Sequence, residues 1–163
     1  MSEAGHRVRF IVLDLDTNSG SPPVSTPSLA IRSDSVERAL ADAEQLIHSR
    51  GAASGVDRVH TALHGYLRAL ADKHRIAYPR DANLTVLFRL LRDQHPALSV
   101  PEPRAKDIDR IIQAISTILD ALNPVRNRAS GVHPNALLLQ EPEAMLVINC
   151  SKTLLHYFDS KLR

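Results

Sequence analysis

The chain has 163 residues, 44% of them hydrophobic, and 20 lysines and arginines against 18 acids, for a net charge of +2. That suits one compact core, leaves little for a second domain, and falls short of the overall basicity of a protein that grips nucleic acid through its whole surface. The single cysteine, Cys150, excludes an intrachain disulfide and a cysteine-based zinc cluster, and its apolar helical setting reads as core packing. No run of 18 apolar residues occurs and "MSEAGHRVRF" is not a leader, so a soluble cytoplasmic protein without membrane contact is expected.

The first element, "HRVRFIVLDLD", alternates apolar and polar residues with the period of a strand. It pairs with "SLAIRS", pairs with another chain, or forms an extended arm; the sequence leaves all three open. Residues 17–28, "TNSGSPPVSTPS", hold three prolines and no charge and read as a flexible linker. From Ser33 the period becomes helical. "SDSVERALADAEQLIHSRG" offers Asp34 as N-cap, Glu37 three residues on, a stripe at Val36, Leu40, Ala43 and Ile47, and Gly51 as a stop.

"GVDRVHTALHGYLRALADKHRI" carries the next stripe, through Val56, Val59, Leu63, Leu67 and Leu70, and "DANLTVLFRLLRDQHP" carries a third. "AKDIDRIIQAISTILDALN" is the most amphipathic segment, with Ile108, Ile111, Ile112, Ile115, Ile118, Leu119 and Leu122. "EPEAMLVINCSKTLLHYFDSKLR" closes the chain, with Pro142 where a first helical turn tolerates it. The expected fold is all-α: an antiparallel bundle of about five helices over residues 33–163, preceded by an extended arm and linker over 1–32.

Chemistry concentrates between the last two helices. Residues 121–140 contain Arg126, Arg128 and His133 and no acid, although the chain has 18 acids. A guanidinium binds two phosphate oxygens at once, and a histidine exchanges a proton near neutrality. Together they meet the needs of metal-free RNA cleavage, in which a 2′-hydroxyl attacks the adjacent phosphodiester and leaves a 2′,3′-cyclic phosphate. That displacement needs an acid as well as a base, which a two-fold dimer of the loop would supply.

Spacing alone does not single out this pair, since Arg58/His64, Arg68/His74 and Arg89/His95 are each six apart. Those pairs fall on predicted continuous helices, where six steps of about 100° put them on roughly opposite faces. Arg126 and His133 instead flank an expected break made by Pro124, Gly131 and Pro134. The plainer reading is that Arg126 and Arg128 favour the C-terminal end of a helix dipole and His133 is a surface loop residue.

Elsewhere, His60 and His64 have the i, i+4 spacing of metal ligands, but lack a following glutamate and a third ligand; they read as a polar flank bordering the cleft. Asp14 and Asp16 read as a strand's solvent face. Aromatic residues make up 4% of the chain and are scattered, so RNA would be held by phosphate contacts rather than by base stacking. Neither a metal nor a cofactor is expected.

"ALNPVRNRASGVHP" resembles the arginine-asparagine and downstream histidine motif of the HEPN superfamily. The helices from about residue 53 to 163 resemble its abortive-infection C-terminal family; the first 30 residues are outside the resemblance. The resemblance implies a metal-independent endoribonuclease of an abortive-infection or toxin–antitoxin system, with a composite site across a homodimer and RNA as substrate. It implies Arg126 as the motif arginine, Asn127 as the polar residue beside it and His133 as the motif histidine. Arg128 is a rival phosphate-binding arginine at four-residue spacing, and Pro134 stands where members often have glycine. An antitoxin or another defence-system protein is an implied partner. The alternative is a catalytically silent HEPN module that dimerises, or senses a ligand or partner for another effector.

Overall fold

The computed structural model describes residues 22–98, 105–129 and 139–162. Five helices follow one another: α1 (Asp34–Arg50), α2 (Ala52–Lys73), α3 (Leu84–Gln94), α4 (Ala105–Ala129) and α5 (Glu141–Lys161). No strand occurs among the described residues, so the class is an all-helical bundle, as expected. "HRVRFIVLDLD" lies outside the described residues, and its suggested partner "SLAIRS" is not a strand.

Helix α1 buries Val36, Ala39, Leu40 and Ala43, spaced as one face of a helix requires. Its N-cap is Ser33 rather than Asp34, which moves Asp34 and Glu37 into the first turn, where their charge complements the helix dipole. Gly51, with φ of 85°, ends α1 and directly precedes α2. Helix α2 therefore begins at Ala52, three residues before the expected "GVDRV" start. The two form an antiparallel hairpin with Gly55 pressed against Ile47 and Ala43.

Helix α2 packs against all four other helices. Its buried residues, from Val56 and Val59 through Leu63, Tyr66, Leu67 and Leu70, accordingly occupy more than one face. The Asn83 side chain caps α3 by accepting the Val86 N–H at 2.9 Å. Residues 74–83 fold back along α2, so that Ala82 meets His64 while His95, just past α3, meets His74. Thus α3 runs alongside the second half of α2 in the same sense, a local departure from alternating directions. Helix α5 also runs with α2, since Glu141 meets Ala52 and Asp159 meets Tyr66.

The chain before α1 is held by side chains of α5. Asn149 accepts the Val24 N–H at 2.8 Å and donates to the Pro22 carbonyl at 3.2 Å, and His156 Nε2 donates to the Ser25 carbonyl at 2.9 Å. Buried Asp159 accepts both the Ala30 N–H at 2.7 Å and the Tyr66 hydroxyl at 2.8 Å. Residues 22–28, read in the sequence as linker, therefore run as a strap tied to the bundle. Leu29 and Ile31 pack against the main core.

Helix α4 sits at the edge. Of its isoleucines, Ile112 is buried and Ile115 partly so, whereas Ile108, Ile111 and Ile118 are 45%, 56% and 44% exposed.

The α1–α2 contact is testable. A methyl group on residue 55 would overlap Ile47 Cγ1 and lie 3.2 Å from the Ala43 carbonyl oxygen. Alanine gains up to about 1 kcal/mol over glycine in a helix interior, but overpacking costs about 1–3 kcal/mol. Gly55→Ala should lower stability by roughly 1–2 kcal/mol in urea denaturation, and Ile47→Val in the same chain should recover part of the loss.

Candidate functional site

Arg126, Asn127 and Arg128 lie in the last turn of α4, which continues to Ala129. The helix passes through Pro124 instead of breaking there. Proline removes one N–H from the ladder and biases the residue before it, costing about 3 kcal/mol without forbidding the turn. Over residues 122–129 the helical backbone is described, and it sets Arg126 and Arg128 about 200° apart around the axis. The two arginines thus occupy different sides of one helix end. His133 lies outside the described residues.

The far end of the connection is anchored. The Glu141 carboxylate, at the start of α5, accepts the Ala52 N–H at 3.0 Å through each of its oxygens. A carboxylate there satisfies a donor that has no partner within α2 and offsets the positive end of its dipole. Leu139 packs against a second apolar cluster formed by Ala52, Val56, Met145 and Ile148. The chain between Ala129 and Leu139 therefore joins the cationic end of α4 to the α1–α2 corner.

His60 and His64 have separate surroundings. His60 is buried, on the side of α2 that carries Val56 and Leu63. His64 is half-buried, its Nε2 donates to the Ala82 carbonyl at 2.8 Å, and it lines a cavity of about 440 Å³ with Ser33, Thr61, Arg68 and Tyr78. Arg68 donates to the Arg80 carbonyl at 2.6 Å and lies 5.6 Å from the Tyr78 ring centre; Tyr78 donates to Asp72 at 3.0 Å. These contacts latch the α2–α3 connection onto α2. No group of three or more histidine, cysteine or acidic side chains able to hold a metal occurs among the described residues.

Two polar clusters escaped the sequence reading. His74 and His95 stand just past the ends of α2 and α3, with Nε2 atoms 3.1 Å apart. Ala97 N–H donates to His95 Nδ1 at 3.2 Å, so the His95 proton sits on Nε2 and is donated to His74. In this chain of bonds a proton added to His95 Nδ1 would face the Ala97 N–H. The signal was a histidine at each of two helix ends, but their meeting depends on the fold-back of residues 74–83.

The second cluster is Lys152, only 2% exposed, whose Nζ lies 2.5 Å from Glu44 Oε1. Thr26 also donates to Glu44. Partial burial pushes the Glu44 carboxyl upward, but hydrogen bonds from Lys152 and Thr26, with the Lys152 charge, outweigh it and hold the carboxyl below its usual range. This cluster joins strap, α1 and α5. Cys150 is half-buried, and burial raises its thiol away from the reactive thiolate form.

A helical bundle whose fourth helix ends in arginine, asparagine and arginine, with its fifth helix clamped to the first hairpin, defines a class of small all-α domain. Residues 34–161 match the family model Abi_C, described as a HEPN-like domain, and the chain belongs to that family. The family includes ribonucleases and associates the chain with abortive infection. Neither the curated proteins nor the solved structures compared with the chain gave a match. Among the described residues, no helix is long and apolar enough to cross a membrane.

The histidine pair predicts a pH dependence. Burial, then the neighbouring His74, then Lys73 lower the pKa of His95 from its ordinary value. The unfolded chain takes up this proton near pH 6.5, so the pair's contribution is complete above that pH and is lost as pH falls through the lower folded value. The urea midpoint should drop between pH 7 and pH 5.5, and by less in His95→Gln.

Proposed function

We propose that the protein is a metal-independent endoribonuclease acting in antiphage defence or as a toxin, with its site composed from two copies of the chain. The observation that carries this is the acid-free stretch in which the last turn of α4 presents Arg126, Asn127 and Arg128 within seven residues of His133. Membership in a HEPN-like family associated with abortive infection supports the same reading.

In this mechanism one His133 takes the proton of an RNA 2′-hydroxyl. The freed oxygen attacks the adjacent phosphorus as the bond to the 5′-oxygen breaks. Arg126 stabilises the charge that gathers on the non-bridging oxygens. The partner's His133, protonated beforehand, gives its proton to the departing 5′-oxygen, and the products are a 2′,3′-cyclic phosphate and a 5′-hydroxyl. Asn127 fixes the loop or binds a phosphate oxygen. Arg128 binds a neighbouring phosphate, consistent with its different bearing on the helix. Recognition rests mainly on the RNA backbone. An antitoxin that blocks the cationic end of α4 would silence such an enzyme.

The test is incubation with RNA in EDTA. Wild type should cleave and leave cyclic-phosphate ends, and His133→Ala should lose about 10²–10⁴-fold in rate, the usual worth of one acid–base group. Equal inertness of both proteins would favour a silent HEPN module that dimerises or senses a partner.

A further inference from the structure

The cavity beside the start of α1 has no part in the proposed chemistry. Arg68 stands about 24 Å along the α2 axis from Ala52, the corner to which the chain returns after α4. The cavity holds about 440 Å³, within the roughly 300–1,000 Å³ of small-molecule sites, and Ser33, Ser35, His64, Arg68, Asp72 and Tyr78 line it.

Several of its polar groups are held in place without being used up. Arg68 donates from Nη2 to the Arg80 carbonyl and lies over the Tyr78 ring, which fixes the guanidinium. Its Nε is buried without a hydrogen-bond partner, and no acid pairs with Arg68 among the described residues. A buried donor left unbonded is destabilising and calls for an acceptor. Ser33 is the N-cap of α1, yet its hydroxyl caps no N–H and lies 3.0 Å from the Ser35 hydroxyl. The first N–H groups of α1 have no acceptor within their own helix. His64 commits Nε2 to the Ala82 carbonyl, which leaves Nδ1 as its open position.

These donors define the chemistry of a ligand. A guanidinium, two hydroxyls and a helix start outnumber the two oxygens of a carboxylate and suit the three terminal oxygens of a phosphate monoester. Asp72, one turn beyond Arg68, adds the opposite charge. The Tyr78 hydroxyl occupies its Oδ1 at 3.0 Å, and Oδ2 remains to accept from a ligand hydroxyl. That carboxylate disfavours a second anionic group and favours a polyol. We propose that the cavity binds a small sugar monophosphate, its phosphate held by Arg68, Ser33 and Ser35 and its hydroxyls by Asp72. The ribonuclease reading is not needed for this site.

Isothermal titration calorimetry on the full chain with ribose 5-phosphate, ribose and inorganic phosphate tests the assignment. Ribose 5-phosphate should bind wild type at least ~10-fold more tightly than either of the other two. Ser33→Ala/Ser35→Ala and Arg68→Gln should each weaken it by at least ~10-fold, with the helical circular-dichroism signal unchanged. The serine pair caps no N–H through its side chains, so that variant decides the matter should Arg68→Gln unfold. Asp72→Asn should narrow the preference for ribose 5-phosphate over inorganic phosphate. Arg126→Ala should bind ribose 5-phosphate as wild type does. No binding to wild type at ~10 mM, or equal affinity in the serine variant, overturns the proposal. Binding lost in Arg126→Ala overturns it too, by placing the phosphate at the end of α4.

Discussion

The enclosure of α2 by all four other helices is the constraint on which the arrangement depends. Gly55 lets α1 lie close against it, Glu141 ties its first N–H to the start of α5, and Tyr66 reaches the buried Asp159 near the end of α5. Asp159 in turn holds the strap through Ala30. A buried carboxylate is costly unless it is hydrogen-bonded, so these polar contacts fix how α2, α5 and the strap meet where apolar packing alone would allow sliding. With α1, α3 and α5 around the central helix, α4 is left at the edge and buries only part of its isoleucine surface.

Helix α4 joins the fold to the proposed chemistry, since its last turn carries Arg126 and Arg128. The C-terminal end of the helix is negative by virtue of its dipole, which offsets some of the repulsion between the two guanidiniums. In the proposed mechanism an RNA phosphate would supply the remaining counter-charge.

The helical spans were legible because periodicity and punctuation agree. Gly51 ended α1 and Pro142 fell in the first turn of α5, whereas the Asn83 cap of α3 emerged from the structure. Pro124 misled because its missing hydrogen bond was weighed as a break, whereas the helix absorbs it and carries Arg126 onto the last turn. Hydrophobicity in α4 was visible in sequence, but not its division, since inward and exposed isoleucines have the same chemistry. Contacts between distant segments were not legible: His74 meets His95, Lys152 meets Glu44, and residues 22–28 lie along α5 only because of the tertiary path. At the candidate site, the acid-free composition and the motif residues were readable, and the helical bearing of the two arginines came from the backbone.

The central claim of the proposed function is that the arginine turn at the end of α4 and His133 form a metal-independent ribonuclease site. Cleavage of RNA in EDTA by wild type, Arg126→Ala and Arg128→Ala tests it most directly. The proposal predicts cyclic-phosphate ends from wild type and a far larger loss of rate in Arg126→Ala than in Arg128→Ala. RNA left intact by wild type, or cleaved equally fast by Arg126→Ala, would contradict it.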